Sequence, residues 1–173
     1  MNITLVGSGY VGMSLAVLLA QENNVCVLDI DKERVAKINT SQSTVEDTYI
    51  DLFLKDKSLS LNATLKKNVA YQDAEIIIIA TPTDFDPINN YFNTDSVDMV
   101  VKDILNFNDN ALIVIKSTLP VGHTKALQDK YSTDRIIFSP EFLREGRALE
   151  DNLYPSRIII GGSCKLSHKF SNI

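Results

Sequence analysis

The fold is decided by residues 1–31, MNITLVGSGYVGMSLAVLLAQENNVCVLDID. An apolar run at Ile3–Val6 leads into a glycine loop, and the apolar spacing of a helix follows the loop. A second apolar run then ends in an acid at Asp29. This order of strand, loop, helix, strand and acid predicts a dinucleotide site, although a glycine loop can also serve only as a turn.

The three glycines of the loop have different mechanical roles in such a site. We expect Gly7 to allow the tight turn, Gly9 to let the backbone approach a pyrophosphate, and Gly12 to permit close packing of helix on strand. The loop N–H groups, including those of Tyr10 and Val11, would then face the phosphates together with the positive end of the helix dipole.

Asp29 bears on which dinucleotide the site takes. Its carboxylate can accept hydrogen bonds from the adenosine ribose hydroxyls, and its charge would repel a ribose 2′-phosphate, which favours NAD over NADP. Arg34 lies close in sequence, and its guanidinium would offset part of that repulsion. An acid at a helix entry can also be an ordinary capping residue, so this alternative stays open for Asp29.

Apolar runs and helical segments alternate along the rest of the chain. The apolar runs are Ile3–Val6, Val25–Asp29, Ile76–Ala80, Leu112–Ile115, Ile136–Phe138 and Ile158–Ile160. The helical segments between them are Val11–Gln21, Lys32–Ile38, Val97–Leu105 and Thr124–Lys130. Continuously apolar strands that alternate with helices indicate a strand layer buried on both faces. The sequence therefore predicts an α/β protein with a Rossmann-like, doubly wound, mainly parallel sheet and helices on both faces.

The sequence predicts one domain over residues 1–162 and a poorly ordered tail over residues 163–173, which offers few apolar residues. Residues 40–67 interrupt the alternation and read as an insertion carried on the sheet. We expect Ser43 and Glu46 to form a capping box there, followed by a short helix around Tyr49–Leu54. The other predicted helix caps are Asp31 for the second helix and Thr94 or Asp95 for the third.

The composition excludes several classes of protein. The chain has 173 residues and a net charge of −5, without a dense block of Lys and Arg, which argues against nucleic acid as a partner. Its longest apolar stretches are too short to span a bilayer. The N-terminus lacks the basic region and cleavage site of a signal peptide, so the sequence predicts a cytoplasmic protein.

The cysteines and histidines do not suggest a metal site. Cys26 lies in the second predicted strand and Cys164 in the tail, while His123 and His168 are isolated. None of them has the spacing of metal ligands. We therefore expect no metal, and we expect Cys26 to be a small core residue.

Three polar loops follow the predicted strands, at 81–83, 116–122 and 139–146. Ligands of a doubly wound sheet bind beyond the carboxyl ends of its strands, so these loops should face the dinucleotide. Thr118 could orient a water or contact the cofactor, or could only cap the local turn. A helical turn would place Glu141 and Glu145 on one face, where their repulsion favours acid–base use. The alternative is a solvated helix start that also carries Arg144 and Arg147.

The loops taken together resemble a known family. The elements that carry the resemblance are GSGYVG at 7–12, ATPT at 80–83, YFNT at 91–94, KSTLPVG at 116–122 and SPEFLREG at 139–146. In this order they closely resemble the UDP-glucose dehydrogenases of bacteria, and the likeness runs from residue 1 to about residue 161. The element at 139–146 is similar in GDP-mannose dehydrogenases too. YFNT and NLYPSR at 152–157 favour the UDP-glucose branch of this nucleotide-sugar dehydrogenase superfamily.

The resemblance implies a reaction and a set of site residues. Such enzymes oxidise the primary alcohol of a sugar to a carboxylate with two NAD molecules. Val11, Asp29, Arg34 and Thr83 would contact NAD, and Thr118 and Glu145 would lie near the nicotinamide. Thr118 would hold the catalytic water, Glu145 would assist proton transfer, and Glu141 would act in hydrolysis of the covalent intermediate. Backbone groups across Glu141, Phe142, Leu143, Arg144 and Glu145 would meet the sugar of UDP-glucose.

The family pattern is incomplete here. In the family a lysine, an asparagine, a cysteine nucleophile and an aspartate come from a second half, which this sequence lacks, and a thiol is what holds the aldehyde for the second oxidation. We therefore expect the NAD-binding half of a UDP-glucose 6-dehydrogenase, inactive or nearly so alone. The alternatives are a stand-alone NAD-binding or regulatory module and another nucleotide-sugar dehydrogenase, such as one for GDP-mannose. Complete relatives are homodimers by the same resemblance, and the assembly of this chain stays open.

Overall fold

The computed structural model describes residues 1–56, 58–88, 91–162 and 165–171. The strands in this part are β1 (Asn2–Val6), β2 (Asn24–Leu28), β3 (Leu61–Thr64), β4 (Ile76–Ile79), β5 (Asp84–Asp86), β6 (Tyr91–Asn93), β7 (Leu112–Ile115) and β8 (Ile136–Phe138). The helices are α1 (Tyr10–Leu19), α2 (Lys32–Asn39), α3 (Thr48–Asp56), α4 (Lys67–Tyr71), α5 (Asp95–Phe107), α6 (His123–Tyr131), α7 (Ala148–Leu153) and α8 (Lys165–Phe170).

One parallel sheet organises the described residues. Its six strands lie in the order β3-β2-β1-β4-β7-β8, and every neighbouring pair is parallel. The chain moves outward from β1 to β3 and then returns to the other side of β1 at β4. A doubly wound sheet of this kind has its ligand crevice at that reversal, beyond the carboxyl ends of β1 and β4. The predicted Rossmann-like fold is confirmed.

Helices cover both faces of the sheet, each over its own apolar core. The first core includes Ile3, Leu5 and Val27 and lies on the face where α1, α3 and α7 pack. The second core includes Ile77 and Ile113 and lies on the other face, where α4, α5 and α6 pack. Strands β4 and β7 are buried at every position, since they lie in the middle of the sheet under both layers.

Most of the predicted strands and helices are present, with ends displaced by no more than two residues. The Asp31 carboxylate accepts hydrogen bonds from the backbone N–H groups of Glu33 and Arg34, so it caps α2 as predicted. Thr94 stands at the start of α5 without a capping hydrogen bond from its side chain. Instead, the Asn93 side chain accepts a hydrogen bond from the Asp95 N–H group.

The interpretation of residues 40–67 as an insertion is wrong, because this segment supplies β3, the edge strand of the sheet. Its pattern is not continuously apolar, since an edge strand has a neighbour on one side only. The Asn39 side chain closes the outer side. It donates to the Ala63 carbonyl at 3.0 Å and accepts from the Ala63 N–H group at 2.8 Å. One amide group thereby satisfies both backbone groups of Ala63, which another strand would otherwise bind.

The predicted capping box is also wrong. The Ser43 hydroxyl bonds to the backbone of Val45, whereas Asp47 caps α3 by accepting from the N–H groups of Tyr49 and Ile50. The carboxylate next to the helix start is in closer reach of those groups than the hydroxyl four residues earlier. A second difference is a short antiparallel hairpin, β5–β6, which is not among the strands that the sequence predicts.

The end of the chain differs from the prediction at one strand. Residues 158–160 form no strand in the described structure; Ile158 and Ile159 are exposed, and the one backbone bond to β8 runs from the Gly161 N–H group to the Phe138 carbonyl. An apolar run becomes an interior strand only when both of its faces are covered. Residues 163, 164, 172 and 173 lie outside the described residues, so Cys164 does too. Helix α8 lies between them, with Phe170 against the first core, and the poorly ordered tail stays a prediction.

Candidate functional site

The glycine loop between β1 and α1 has no room for side chains at two of its three glycines. Gly7 has a φ of +97°, and a Cβ atom there would lie 2.7 Å from the carbonyl oxygen of Ala80. A Cβ atom at Gly12 would lie 2.0 Å from the carbonyl oxygen of Gly7, so α1 packs directly on the loop. At Gly9, by contrast, a Cβ atom would meet nothing within 4 Å. The space at Gly9 lets a ligand approach the backbone.

Helix α1 presents its first turn to the same space. The helix begins after Gly9, and none of the side chains in the described structure caps it. The first N–H groups of a helix have no partner within the helix, and the helix dipole makes this end positive. An uncapped helix start beside an open glycine position suits phosphate oxygens, so the residues present fit a dinucleotide.

Asp29 follows β2 and holds the glycine loop in place. One carboxylate oxygen accepts hydrogen bonds from the Ser8 N–H group at 2.8 Å and the Ser8 hydroxyl at 2.5 Å. The other oxygen accepts from the Asp31 N–H group at 3.0 Å. A carboxylate offers about four acceptor positions, so Asp29 keeps capacity for a ribose hydroxyl. Arg34 points to Asp31 instead, at 3.9 Å, rather than forming an ion pair with Asp29.

An open cleft of about 460 Å³ lies at the carboxyl ends of the central strands. Its lining residues are Gly9, Tyr10, Val11, Ala80, Thr81, Pro82, Thr83, Lys116, Ser117, Thr118, Glu141, Leu143 and Glu145. The cleft therefore brings together the glycine loop and all three polar loops that the sequence singles out. Asp29, Arg34, Phe142 and Arg144 are not among its lining residues.

The most enclosed charges of the cleft are a lysine and a glutamate. The Lys116 ammonium lies 3.2 Å from a carboxylate oxygen of Glu141, and these side chains are only 8% and 16% exposed. The other oxygen of Glu141 accepts from the Phe142 N–H group at 3.0 Å. Both oxygens of Glu141 are thus engaged. No role is predicted for Lys116 from the sequence alone. Its position directly after the apolar strand β7, where ligands of such a sheet bind, could have indicated that it belongs to the site.

Thr118 and Glu145 are exposed polar residues of the cleft, so a ligand can reach them. Both are exposed, and the structure gives neither side chain a hydrogen-bond partner among the described residues. The prediction that Glu141 and Glu145 share one face of a helical turn is wrong, because residues 141–147 are not helical and α7 begins only at Ala148. Pro140 and the positive φ of Gly146, +77°, work against a helix here.

The acidic loop, residues 141–146, is held from the outside by α7. The Asp151 carboxylate accepts hydrogen bonds from the backbone N–H group of Arg144 and from its guanidinium. These bonds hold the pKa of Asp151 at about 2, below its usual value. Arg144 is therefore turned away from the cleft. Phe142 is also exposed outside the cleft, where the Arg157 guanidinium lies 4.5 Å from its ring centre.

Two serines fix the loop that carries Thr83. The Ser117 hydroxyl donates to the Thr81 carbonyl at 2.7 Å, and the Ser96 hydroxyl donates to the Pro82 carbonyl at 2.6 Å. Ser117 comes from the end of β7 and Ser96 from the start of α5. The wall of the cleft formed by residues 81–83 is thus tied to two neighbouring elements.

Cys26 has no place in this cleft. It lies on β2, half-buried, and packs against the second core. Burial raises the pKa of its thiol, which disfavours the reactive thiolate. Cys26 is thus the core residue that the sequence predicts. A separate finding is that no helix in the described part of the chain is long and apolar enough to cross a membrane.

Comparison of the sequence with known proteins shows a match to one protein family. Residues 1–171 match the model of the UDP-glucose/GDP-mannose dehydrogenase family, NAD-binding domain. UDP-glucose 6-dehydrogenase from Streptococcus pneumoniae is 53% identical over 161 residues, which are 93% of this chain and 41% of that protein. The enzyme of the same name from Campylobacter jejuni is 45% identical over 175 residues, covering 100% of this chain and 44% of that protein. The chain thus spans about two fifths of the length of these curated relatives.

Solved structures show the same fold at lower identity. A ternary complex of GDP-mannose dehydrogenase from Pseudomonas aeruginosa superposes with a TM-score of 0.85 at 21% identity, over 99% of this chain and 43% of that one. A UDP-glucose dehydrogenase from Pyrobaculum islandicum gives a TM-score of 0.84 at 24% identity, over 98% of this chain and 42% of that one. At these identities the likeness supports the fold alone.

Proposed function

Because the chain belongs to the UDP-glucose/GDP-mannose dehydrogenase family, as its NAD-binding domain, we propose that it forms the cofactor side of a UDP-glucose 6-dehydrogenase. The complete reaction would convert UDP-glucose, two NAD and water into UDP-glucuronate and two NADH. The single observation that carries the proposal is the cleft that joins the open glycine loop to Thr118, Glu141 and Glu145. The 53% identity to the Streptococcus pneumoniae enzyme supports the UDP-glucose branch over the GDP-mannose branch.

NAD would lie across the cleft from the glycine loop to the acidic loop. Its pyrophosphate would meet the backbone at Gly9 and the first turn of α1, at Tyr10 and Val11. The adenosine ribose would bond to Asp29, with Arg34 at the outer edge, and Thr83 would line the path. Bound NAD would supply the hydride acceptor of the reaction.

The residues at the far end of the cleft would handle water and protons. Thr118 and Glu145 are exposed toward the cleft, so they can hold a water beside the sugar. Glu141 is held in a fixed position, since Lys116 lies against one of its oxygens. Backbone groups of Glu141–Glu145 would meet the sugar. A cytoplasmic location belongs to the same proposal, and cell fractionation would test it. The assembly of this chain stays open, and sedimentation would determine it.

The described residues would supply the cofactor side of this chemistry, but no cysteine among them lines the cleft. Cys26 faces the second core rather than the cleft. We therefore expect the chain to bind NAD and to give no sustained NADH production from UDP-glucose. Hydride transfer needs the reacting carbons held about 3–3.5 Å apart, and an alcohol bound only by the acidic loop lacks most of that restraint. Absorbance at the NADH band with excess UDP-glucose measures this, and robust turnover would contradict it.

Isothermal titration with NAD tests the binding step. The informative variant is Gly9→Val, because added side-chain atoms meet open space and should leave the fold intact while they occupy the place of the pyrophosphate. We expect the melting temperature to stay near that of the unmodified chain and NAD binding to fall below detection.

The matched control for this titration is Thr48→Val, which adds the same side chain at an exposed position outside the cleft. It should bind NAD normally. Equal NAD affinity in Gly9→Val and Thr48→Val would exclude the proposed position of the cofactor. Failure of the unmodified chain to bind NAD would exclude the proposed function itself. In the alternative function, a stand-alone module that senses NAD, the affinity for NAD would not increase when UDP-glucose is present.

A further inference from the structure

Asp47 is a buried carboxylate at the meeting point of two helices. Its side chain is almost inaccessible, in a residue that is 2% exposed. One oxygen accepts from the N–H groups of Tyr49 at 3.0 Å and Ile50 at 3.2 Å, at the start of α3. The other accepts from the N–H group of Leu149 at 3.3 Å, 102 residues further along the chain, in the first turn of α7. A buried carboxylate needs such donors, so Asp47 connects the two helices through one charge.

Helix α7 in turn holds the acidic loop. Asp151 on α7 binds the backbone and the guanidinium of Arg144, as described above. The Arg147 N–H group donates to the Arg144 carbonyl, which closes the turn between the loop and the helix. Gly146 faces the segment before Asp47, because a Cβ atom on it would lie 3.7 Å from the Glu46 carbonyl oxygen. A shift of α7 would therefore move the acidic loop.

The segment before Asp47 also reaches the glycine loop. The Thr44 hydroxyl donates to the Ser8 carbonyl at 2.5 Å. Ser8 is fully buried, and its own N–H group and hydroxyl bind Asp29. Residues 44–47, which we name the bridge segment, thus span from the glycine loop at one end to α7 at the other.

We infer that Asp47 is a positioning residue that sets the separation between the glycine loop and the acidic loop. Thr44 fixes one end of the bridge segment and Asp47 fixes the other. The inference rests on the proposed function in one respect, namely that Glu145 lies beside the nicotinamide. Asp47 then determines how the nicotinamide end of NAD is received, whereas the ADP end depends on the glycine loop and Asp29.

The variant Asp47→Asn separates the two contacts of this residue. Asparagine caps helices about as well as aspartate, so its one oxygen can keep the α3 contacts. The NH₂ group that replaces the second oxygen cannot accept a hydrogen bond, and it would face the Leu149 N–H group. The substitution therefore removes the contact of Asp47 with α7 and spares the contacts with α3, while α7 keeps its packing and the hydrogen bond from Asn152 to Ser14 on α1.

Titration with two ligands distinguishes positioning from general stability. We expect Asp47→Asn to weaken NAD binding about fivefold, the effect of one lost hydrogen bond, and to leave the affinity for ADP-ribose unchanged. Thr44→Val should weaken both ligands alike, because it acts on the glycine loop. Asp51→Asn, at an exposed position on α3, is the control and should weaken neither. An equal loss of both ligands in Asp47→Asn, or no loss of NAD affinity, would overturn the inference.

Hydrogen exchange gives a reading that does not depend on the cofactor. In Asp47→Asn we expect the amides of Arg144 and Leu149 to exchange about tenfold faster while the amides of β1 and β4 keep their protection. Wild-type rates in α7, or faster exchange throughout the sheet, would overturn the positioning role. If the unmodified chain binds neither NAD nor ADP-ribose, the proposed function fails, and the exchange rates still decide whether Asp47 holds the loop.

Discussion

The glycine loop and the acidic loop face each other across the cleft, yet different forces determine their shapes. The glycine loop is fixed by backbone atoms in contact, with Gly7 against Ala80 and Gly12 against Gly7. The acidic loop is fixed by side chains from elsewhere, with Lys116 on one side and Asp151 on the other. Steric exclusion limits the shape of the glycine loop, to which the hydrogen bonds of Asp29 and Thr44 with Ser8 add, whereas ion pairs hold the acidic loop.

Because of this difference, we expect the two loops to respond differently to substitutions. A loop held by steric exclusion has no alternative shape of similar energy, so its position changes only if the fold yields. A loop held by ion pairs keeps the fold when a pair is broken, but it loses its position. Substitutions in the two loops should therefore have different size and different character.

The largest effect should come from Gly12→Val. Its Cβ atom would lie 2.0 Å from the Gly7 carbonyl oxygen, so α1 must move away from β1. Overpacking of this kind costs about 3 kcal/mol or more of the free energy of unfolding. Urea denaturation followed by circular dichroism measures it. The Gly9→Val variant is the control within the same loop, and similar losses in both variants would show that steric exclusion is not what distinguishes these glycines.

A smaller loss in the free energy of unfolding is expected for Lys116→Met, which leaves Glu141 without the cation that it pairs with. The pair is largely buried, so we expect a loss of about 2 kcal/mol, part of it relieved where Glu141 turns toward the open cleft. Lys125→Met removes an exposed pair with Asp129 and should change stability by less than about 0.5 kcal/mol. Equal effects of the two variants in urea denaturation would mean that the Glu141 pair adds nothing to the acidic loop.

Asp29→Asn should act on specificity. Removal of the charge takes away the repulsion of a ribose 2′-phosphate, so the preference for NAD over NADP should narrow by about tenfold. Asp51→Asn, which removes an acid at an exposed position on α3, is the control and should leave the ratio unchanged. Titration calorimetry with both dinucleotides measures the ratio. Equal affinity of the unmodified chain for NAD and NADP would show that the role given to Asp29 is wrong.

The smallest effect concerns acid. The Arg144 contacts hold the pKa of Asp151 at about 2, below its usual 3.8. A lowered pKa stabilises the fold above pH 4, and this contribution disappears as the pH falls from about 4 through 2. The stability difference between the unmodified chain and Asp151→Asn should therefore shrink over that range, as thermal melts would show. The exposed Asp109→Asn should follow the unmodified chain, and a difference that grows toward pH 2 would contradict the assignment.

The half of the molecule around the glycine loop could be predicted from the sequence, because the interactions that determine its structure are local. The apolar run of β1, the loop glycines and the Asp31 cap each act on neighbours a few residues away. Strands β4 and β7 were equally clear, since burial on both faces makes every position apolar.

The parts that could not be predicted depend on partners distant in the chain. Strand β3 exists because it pairs with β2, and its own residues show no strong preference for a strand. The ion pair of Lys116 joins residues 25 apart, and the Leu149 contact of Asp47 joins residues 102 apart. The acids of the cleft could be identified from the sequence, but the position of their loop could not. Pro140 and Gly146 work against the expected helix, and contacts with α7 that are distant from Glu141 in the sequence then hold the loop.

The two outer strands of the sheet are protected in the same way at their free sides. At β3 the amide of Asn39 imitates a peptide group, and it presents to Ala63 the donor and acceptor that a further strand would bring. At β8 the Gln128 amide donates to the Ile136 carbonyl, and the Gly161 N–H group donates to the Phe138 carbonyl. Part of the backbone that could pair with a strand of another molecule is thus already bound at both ends of the sheet, which disfavours aggregation through its edges.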